Sequence, residues 1–302
     1  MESKHIGLGI SVAALWALSF VAVKVGLKDV PPFALIALRL FFTAFPLVFF
    51  IKPPKIRWSL LIPYGVLMFT CHLGLLTLGV YFGVPVGIAA AMIQFQIFFT
   101  AFFAWFFLRE KISKWHFIGA IFSLLGLGIF ALNFGNLSLY KNQTTVFIGV
   151  FCILLAALSW GCANILTRKI GKVDPIALLV WGSLVAAWPL FACSIAFEDF
   201  SKVMQAILHM NYKSILAIVY MTYGGTFLAF TLWNKLLGVY PAMKVAPFAL
   251  LVPPFALMFS ATILAEDLAA WKLICTFFIV FGVAFIFFGN AVASKALDRQ
   301  PS

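Results

Sequence analysis

Two glutamines, Gln94 and Gln96, stand near the middle of an apolar stretch, GVPVGIAAAMIQFQIFFTAFFAWFFLRE at positions 83–110. An amide in such surroundings must find a hydrogen-bond partner, either on a neighbouring helix or on a solute. The same choice faces Trp16, Ser19, Arg39 and His72 in the first half of the chain, and Trp160, Asn164, Trp181, Tyr223, Trp233 and Asn234 in the second. Amides with indole and imidazole rings can recognise a polar, partly apolar solute reversibly. Bond-making chemistry asks for more: a converging nucleophile, an acid–base pair or a metal set. His72 has no carboxylate at comparable depth, and no phosphate-cradling glycine loop, metal-ligand spacing or Ser/His/Asp arrangement stands out. The expectation is a chain that binds without catalysing, with no cofactor and no metal.

Spacing refines these candidates. Gln94 and Gln96 are two residues apart, about 200° around a regular helix, so one is expected to face a cavity and the other a neighbouring helix. Trp160 and Asn164 are four apart and share a face, as solute contacts or as glue between helices. His72 reads as a neutral imidazole bonded to a neighbour or, alternatively, a proton carrier. Arg39 is expected to snorkel or to pair with Asp29 or with backbone carbonyls; binding a substrate carboxylate is its other reading. The nine acids (Glu2, Asp29, Glu110, Asp174, Glu198, Asp199, Glu266, Asp267 and Asp298) all fall at the ends of apolar runs or between them. That disfavours proton or sodium coupling through a buried carboxylate.

The elements that must position these groups are membrane helices. With 64% hydrophobic and 10% charged residues and a mean hydropathy of +1.10, lipid must solvate most of the chain. Ten apolar runs are expected as spans, near 6–24, 32–51, 59–82, 86–108, 115–134, 145–167, 175–197, 214–236, 242–265 and 270–290. At roughly 1.5 Å per residue, about twenty residues cross a hydrocarbon core about 30 Å thick. Breaks such as Pro31-Pro32, Lys52-Pro53-Pro54-Lys55, Gly135-Asn136 and Asp174-Pro175 separate them. The first run continues past any small-residue cleavage site and is kept as a mature helix. The five cysteines lie within apolar runs as packing residues.

The net charge of +12 would suggest nucleic acid in a soluble chain; here it reads as topology. With both termini cytoplasmic, fourteen of the 21 basic residues fall in cytoplasmic segments, six outside, and Arg39 within the second span. In the ninth run Pro247, Pro253 and Pro254 remove amide donors, and the freed carbonyls require protein or a wet cavity around them. Gly79, Gly83 and Gly87, and Gly224-Gly225, permit close helix approach.

The chain also looks duplicated. Tyr64, Pro85, Glu110, Trp115 and Gly126 recur 156 positions later as Tyr220, Pro241, Glu266, Trp271 and Gly282. Trp16, Lys24 and Pro31 recur 144 positions later as Trp160, Arg168 and Pro175, the difference being taken up in the polar segment 198–213. Copies of five helices, an odd number, enter the membrane with opposite orientation. The fold expected is therefore all-α and integral to the membrane: ten transmembrane helices as two inverted five-helix repeats, residues 1–134 and 145–290, with a cytoplasmic tail at 291–302. Such repeats allow one form open to each side, which is alternating access.

In KVGLKDVPP at 24–32 following Trp16, ALR at 37–39, GVPVGIAA with the QFQ helix and FLREK at 83–111, LSWGCANILTRK at 158–169 and KVAPFALLVPP at 244–254, the sequence resembles the EamA-type drug/metabolite transporter superfamily. It is most similar to bacterial exporters of cysteine and O-acetylserine. The resemblance implies a carrier in the bacterial inner membrane, monomer or homodimer, with a central cavity between the halves. It places Trp16, Gln94, Trp160, Asn164 and the ninth helix around that cavity. The family often has asparagine where this chain has Ser19.

The expected substrate-binding set is Trp16, Ser19, His72, Gln94, Trp160, Asn164, Tyr223 and Trp233. The expected solute is a small zwitterion such as cysteine or O-acetylserine, moved outward; the partners are that solute and the lipid bilayer, with no nucleic acid. The alternative is import of a nutrient such as S-adenosylmethionine or a nucleotide-linked solute, which would ask for more cavity cations than Arg39.

Overall fold

The structure, a computed structural model, describes residues 1–110, 112–133, 142–240 and 242–297. The Gly135-Asn136 break, Lys111, Lys141, Pro241 and residues 298–302 of the tail lie outside the described residues.

The described chain is helical throughout, with no strand among the described residues. Nine of its helices are long and apolar enough to cross a membrane: α1 (Ser3–Gly26), α2 (Pro32–Phe49), α3 (Trp58–Tyr81), α4 (Val86–Leu108), α5 (Lys114–Leu132), α6 (Gln143–Ile170), α7 (Pro175–Phe197), α8 (Tyr212–Val239) and α9 (Ala246–Leu264). A further helix, α10 (Ala270–Leu297), contributes a shorter apolar stretch, Ala270–Ile286. Phe49, Phe106, Phe117 and Leu132 are among the many exposed large apolar side chains, the surface a bilayer would cover. The polar segment before α8 folds as a short helix, Phe200–Leu208, capped by the Asp199 carboxylate.

Local chemistry sets the helix ends. Pro32 and Pro175 sit at first positions, where a missing amide costs nothing. Ser113, Asn142 and Asp174 accept from the amides of Trp115, Thr144 and Ile176. The start of α2 is capped from a distance: the Glu198 carboxylate, just past α7, accepts from the amides of Phe33 and Ala34 at 2.7 and 3.0 Å. A carboxylate on the positive end of a helix is worth about 0.3–1 kcal/mol, more when partly buried.

Besides the 3₁₀ turn Leu47–Phe49 that ends α2, regular geometry is broken in two pairs of corresponding places. A π-helical segment runs from Val66 to Cys71 in α3 and another from Tyr220 to Leu228 in α8. A 3₁₀ segment interrupts α4 at Ile93–Phe95 and opens α9 at Ala246–Leu251. The helices α4 and α9 also end alike. Arg109 and Ala265, 156 positions apart, are the non-glycine residues of positive φ, at 54° and 53°, and the next amides, of Glu110 and Glu266, bond back to the carbonyls of Ala104 and Ser260.

Small residues bring the helices together. Gly79 on α3 and Gly149 on α6 face each other so closely that a Cβ on either would stand 2.9 Å from the other's carbonyl oxygen. On α5 and α10, a Cβ on Gly119 would stand 2.3 Å from the Gly282 oxygen, and one on Gly126 2.8 Å from the Cys275 oxygen, while Ser123 Oγ donates to the Ile279 carbonyl between them. In lipid such close backbone packing, rather than exclusion of water, holds helices in register. Helix α2 packs on α7, α4 on α6 and α9, and α1 on α8 and α9, leaving a space between them near mid-length.

Candidate functional site

That space is a cavity of about 160 Å³ lined by α1, α2, α3, α4, α6, α8 and α9. Its polar lining consists of Ser19, Arg39, His72, Gln94 and Gln96; Trp16, Phe20, Trp160 and Phe230 supply aromatic wall.

Gln94, 3% exposed, donates from Nε2 to the Ala249 carbonyl of α9 at 3.1 Å. That carbonyl is available for a physical reason. In a continuous α-helix it would accept from the residue four positions on, but that residue is Pro253, which has no amide hydrogen. It takes the tighter 3₁₀ bond from the Val252 amide instead, and its second lone pair is met by Gln94. The prolines of α9 and the glutamine of α4 thus form one device, tying the two helices across the cavity wall.

His72 lies edge-on against Trp160, with ring centroids 4.4 Å apart, and its Nδ1 is 3.1 Å from the Ala156 carbonyl of α6. A carbonyl only accepts, so Nδ1 carries the hydrogen and Nε2 is left as the ring's acceptor. Across the cavity Trp16 packs at a tilt against Trp233, with ring centroids 5.0 Å apart, and meets Phe230 edge-on at 6.1 Å. Ser19 Oγ donates to the Leu15 carbonyl within α1, and its neighbour across the wall is Gly225 of α8. A Cβ on Gly225 would lie 2.0 Å from Ser19 Oγ, so the glycine is required by the approach of the two helices.

The cavity gathers five of the eight expected residues: Trp16, Ser19, His72, Gln94 and Trp160. Asn164 lies outside it, one turn beyond Trp160, where Gly161 lets α6 close on Phe99 of α4; its Nδ2 donates to Thr100 Oγ1 at 2.9 Å. Trp233 stands behind Trp16 as its support. Tyr223 is half exposed on the outer side of α8, stacked on Phe227, because the π segment turns Gly225 and the buried Thr222 and Thr226 inward instead.

Two expectations of spacing and pairing need correction. Gln94 and Gln96 both line the cavity, because the 3₁₀ segment between Met92 and Gln96 replaces the regular angular step on which the 200° argument rests. Arg39 does not pair with Asp29, whose carboxylate accepts from Ser214 Oγ and the Asn211 amide instead. Arg39 lines the cavity and is the cation the substrate set omitted; its depth in an apolar run was the signal that could have found it.

The profile of the EamA-like transporter family matches residues 3–132 and again residues 147–288. The chain belongs to this family. It is 32% identical to a "probable amino-acid metabolite efflux pump" of Salmonella typhimurium over 98% of this chain and 99% of that protein. A protein of Escherichia coli bearing the same name is 30% identical over 96% of each chain. A solved structure that is 17% identical over 95% of this chain and 97% of its own has a TM-score of 0.62, a likeness of fold. The chain is thus a multi-pass membrane protein of a family of transporters and not of enzymes, and the motifs that carried the resemblance led to the right family.

Proposed function

We propose that the chain is a secondary carrier of the inner membrane that exports small zwitterionic amino-acid metabolites, of the class of cysteine and O-acetylserine, by alternating access. The observation that carries this reading is the mid-depth cavity, built from helices of both halves, in which hydrogen-bonding groups and two tryptophans converge. Its volume supports a small solute: an apolar cavity of about 150 Å³ holds a molecule the size of benzene, and cysteine is of similar bulk. S-adenosylmethionine is far larger, and the relatives named as efflux pumps do not favour import.

The architecture we infer is ten spans in two inverted repeats, residues 1–134 and 145–290, with the tail 291–302 and both termini in the cytoplasm. The α5–α10 contact supports it. A displacement of 156 positions converts the Gly119–Gly282 contact into the Gly126–Cys275 contact, and the helices run antiparallel there, as copies of opposite orientation must. Rocking of such halves about a shared cavity opens it to one side and then the other. The carrier works as a monomer or a homodimer.

Counterflow of radiolabelled cysteine and O-acetylserine in proteoliposomes tests this, with and without a pH gradient. Saturable counterflow of either solute, insensitive to the gradient, is expected. Correctly folded protein that moves no amino acid would refute the proposed function.

A further inference from the structure

Two side chains that line the cavity carry buried polar atoms of opposite character with nothing to bond among the described residues. Arg39 is 8% exposed, and its Nε is a buried donor with no partner among the described residues. Gln96 Oε1 is likewise a buried acceptor with no partner. Both side chains line the same space. Buried polar groups are almost always satisfied within the protein, so an orphaned pair on side chains that line one cavity points to something that enters it. The guanidinium is the stronger indication: no carboxylate pairs with Arg39 among the described residues, and a cation at this depth costs several kcal/mol unless it is paired.

The surroundings hold Arg39 in place and leave its charge unanswered. One terminal nitrogen donates to Thr226 Oγ1 at 3.0 Å, and Thr226 in turn donates to the Met221 carbonyl five residues back, within the π segment of α8. The Arg39 carbonyl accepts from Thr43 at 2.8 Å and from Thr222 at 3.5 Å. Hydroxyls fix the position of a guanidinium without neutralising it. What remains is a planar cation with an unused Nε edge, the geometry that takes a carboxylate through two parallel bonds.

We propose that Arg39 binds the carboxylate of the transported solute and that Gln96 Oε1 accepts from its ammonium group, so that the two orphaned atoms read the two ends of a zwitterion. This rests on the amino-acid reading of the cavity and deepens it. The carrier then distinguishes an amino acid from the amine and from the acid that share its carbon frame. Removing a hydrogen bond to a charged group costs roughly tenfold to a hundredfold in affinity.

The test compares cysteine with cysteamine, which lacks the carboxylate, and with 3-mercaptopropionate, which lacks the ammonium, all kept reduced. Binding to the purified protein is followed by tryptophan emission and by the shift in melting temperature, and competition by counterflow. The wild type is expected to bind cysteine at least tenfold more tightly than cysteamine. Arg39→Gln should erase that preference, while Arg39→Lys, which keeps the charge but not the planar edge, should retain it in part. Gln96→Leu should weaken cysteine towards the affinity of 3-mercaptopropionate and leave the latter unchanged, and this variant stays informative even where Arg39→Gln fails to fold.

Cysteamine binding as tightly as cysteine to the wild type, a preference that survives Arg39→Gln, or no binding of any of the three would overturn the proposal. Carboxylate-dependent binding without counterflow would instead refute the export reading and leave the Arg39 assignment standing.

Discussion

Arg109 and Ala265 make the same left-handed turn at the ends of α4 and α9, and each is followed by a glutamate whose amide bonds back six residues. The two glutamates are then used differently. Glu110 forms an ion pair with Arg168 at the end of α6, and both side chains are about half exposed. Glu266 reaches the start of α4, where its carboxylate accepts from the Val86 amide at 3.3 and 3.5 Å. Each contact joins one half of the chain to the other at one end of the helices. A duplicated backbone has thus been given an ion pair at one end and a helix cap at the other. Both interactions are weak ones.

The strongest way to break the comparison is through the packing both halves share. Gly282→Leu forces a side chain onto the Gly119 carbonyl and is expected to destabilise the protein by about 1–3 kcal/mol or more, seen as a lower melting temperature in detergent. Gly126→Leu, the counterpart of Gly282 in the first half, should fall by a similar amount. Widely different losses would mean that the halves do not mirror one another there.

A smaller effect sharpens the contrast at the cavity. Gln94→Ala leaves the Ala249 carbonyl without its side-chain partner, and flux is expected to fall about tenfold. Leu250→Gln places an amide at the corresponding position of the other half, and it should not rescue the loss, because α4 contains no proline to free a carbonyl for it. Rescue would show that the cavity needs an amide but not that particular bond.

The smallest effect concerns the ion pair. Glu110→Gln should raise hydrogen exchange at 104–110 by no more than about fivefold, since an exposed pair is worth about 1 kcal/mol at most. Wild type in 1 M salt should behave alike, and the 260–266 segment should respond less to either change. Equal responses at both ends would mean that the ion pair and the helix cap do the same work.

Much of this was legible in the residues. Spans followed from the length of apolar runs, and the family from motifs such as LSWGCANILTRK. The proline-freed carbonyls of α9 were expected to face protein or a cavity, and Ala249 lies in the lining. What the sequence hid depends on helical phase. Gln96 joins Gln94 because a 3₁₀ segment intervenes, and Tyr223 turns outward because a π segment does, and neither irregularity has a residue signature in those stretches. Asn164 shares a helix with Trp160, but whether a cavity extends one turn further depends on where α4 closes on Gly161, a property of two helices and not of one.

The bond between Gln94 and the Ala249 carbonyl has a consequence for the two copies. The glutamine belongs to the first copy and the proline that frees the carbonyl to the second; position 250 is leucine, and no position in α4 is proline. A pair of first halves would bring two amides and no acceptor, and a pair of second halves two acceptors and no amide. Each copy lacks one partner that it would need to make this bond with itself. Two identical subunits built from either present half would not make this bond, so the halves of this chain are not interchangeable parts.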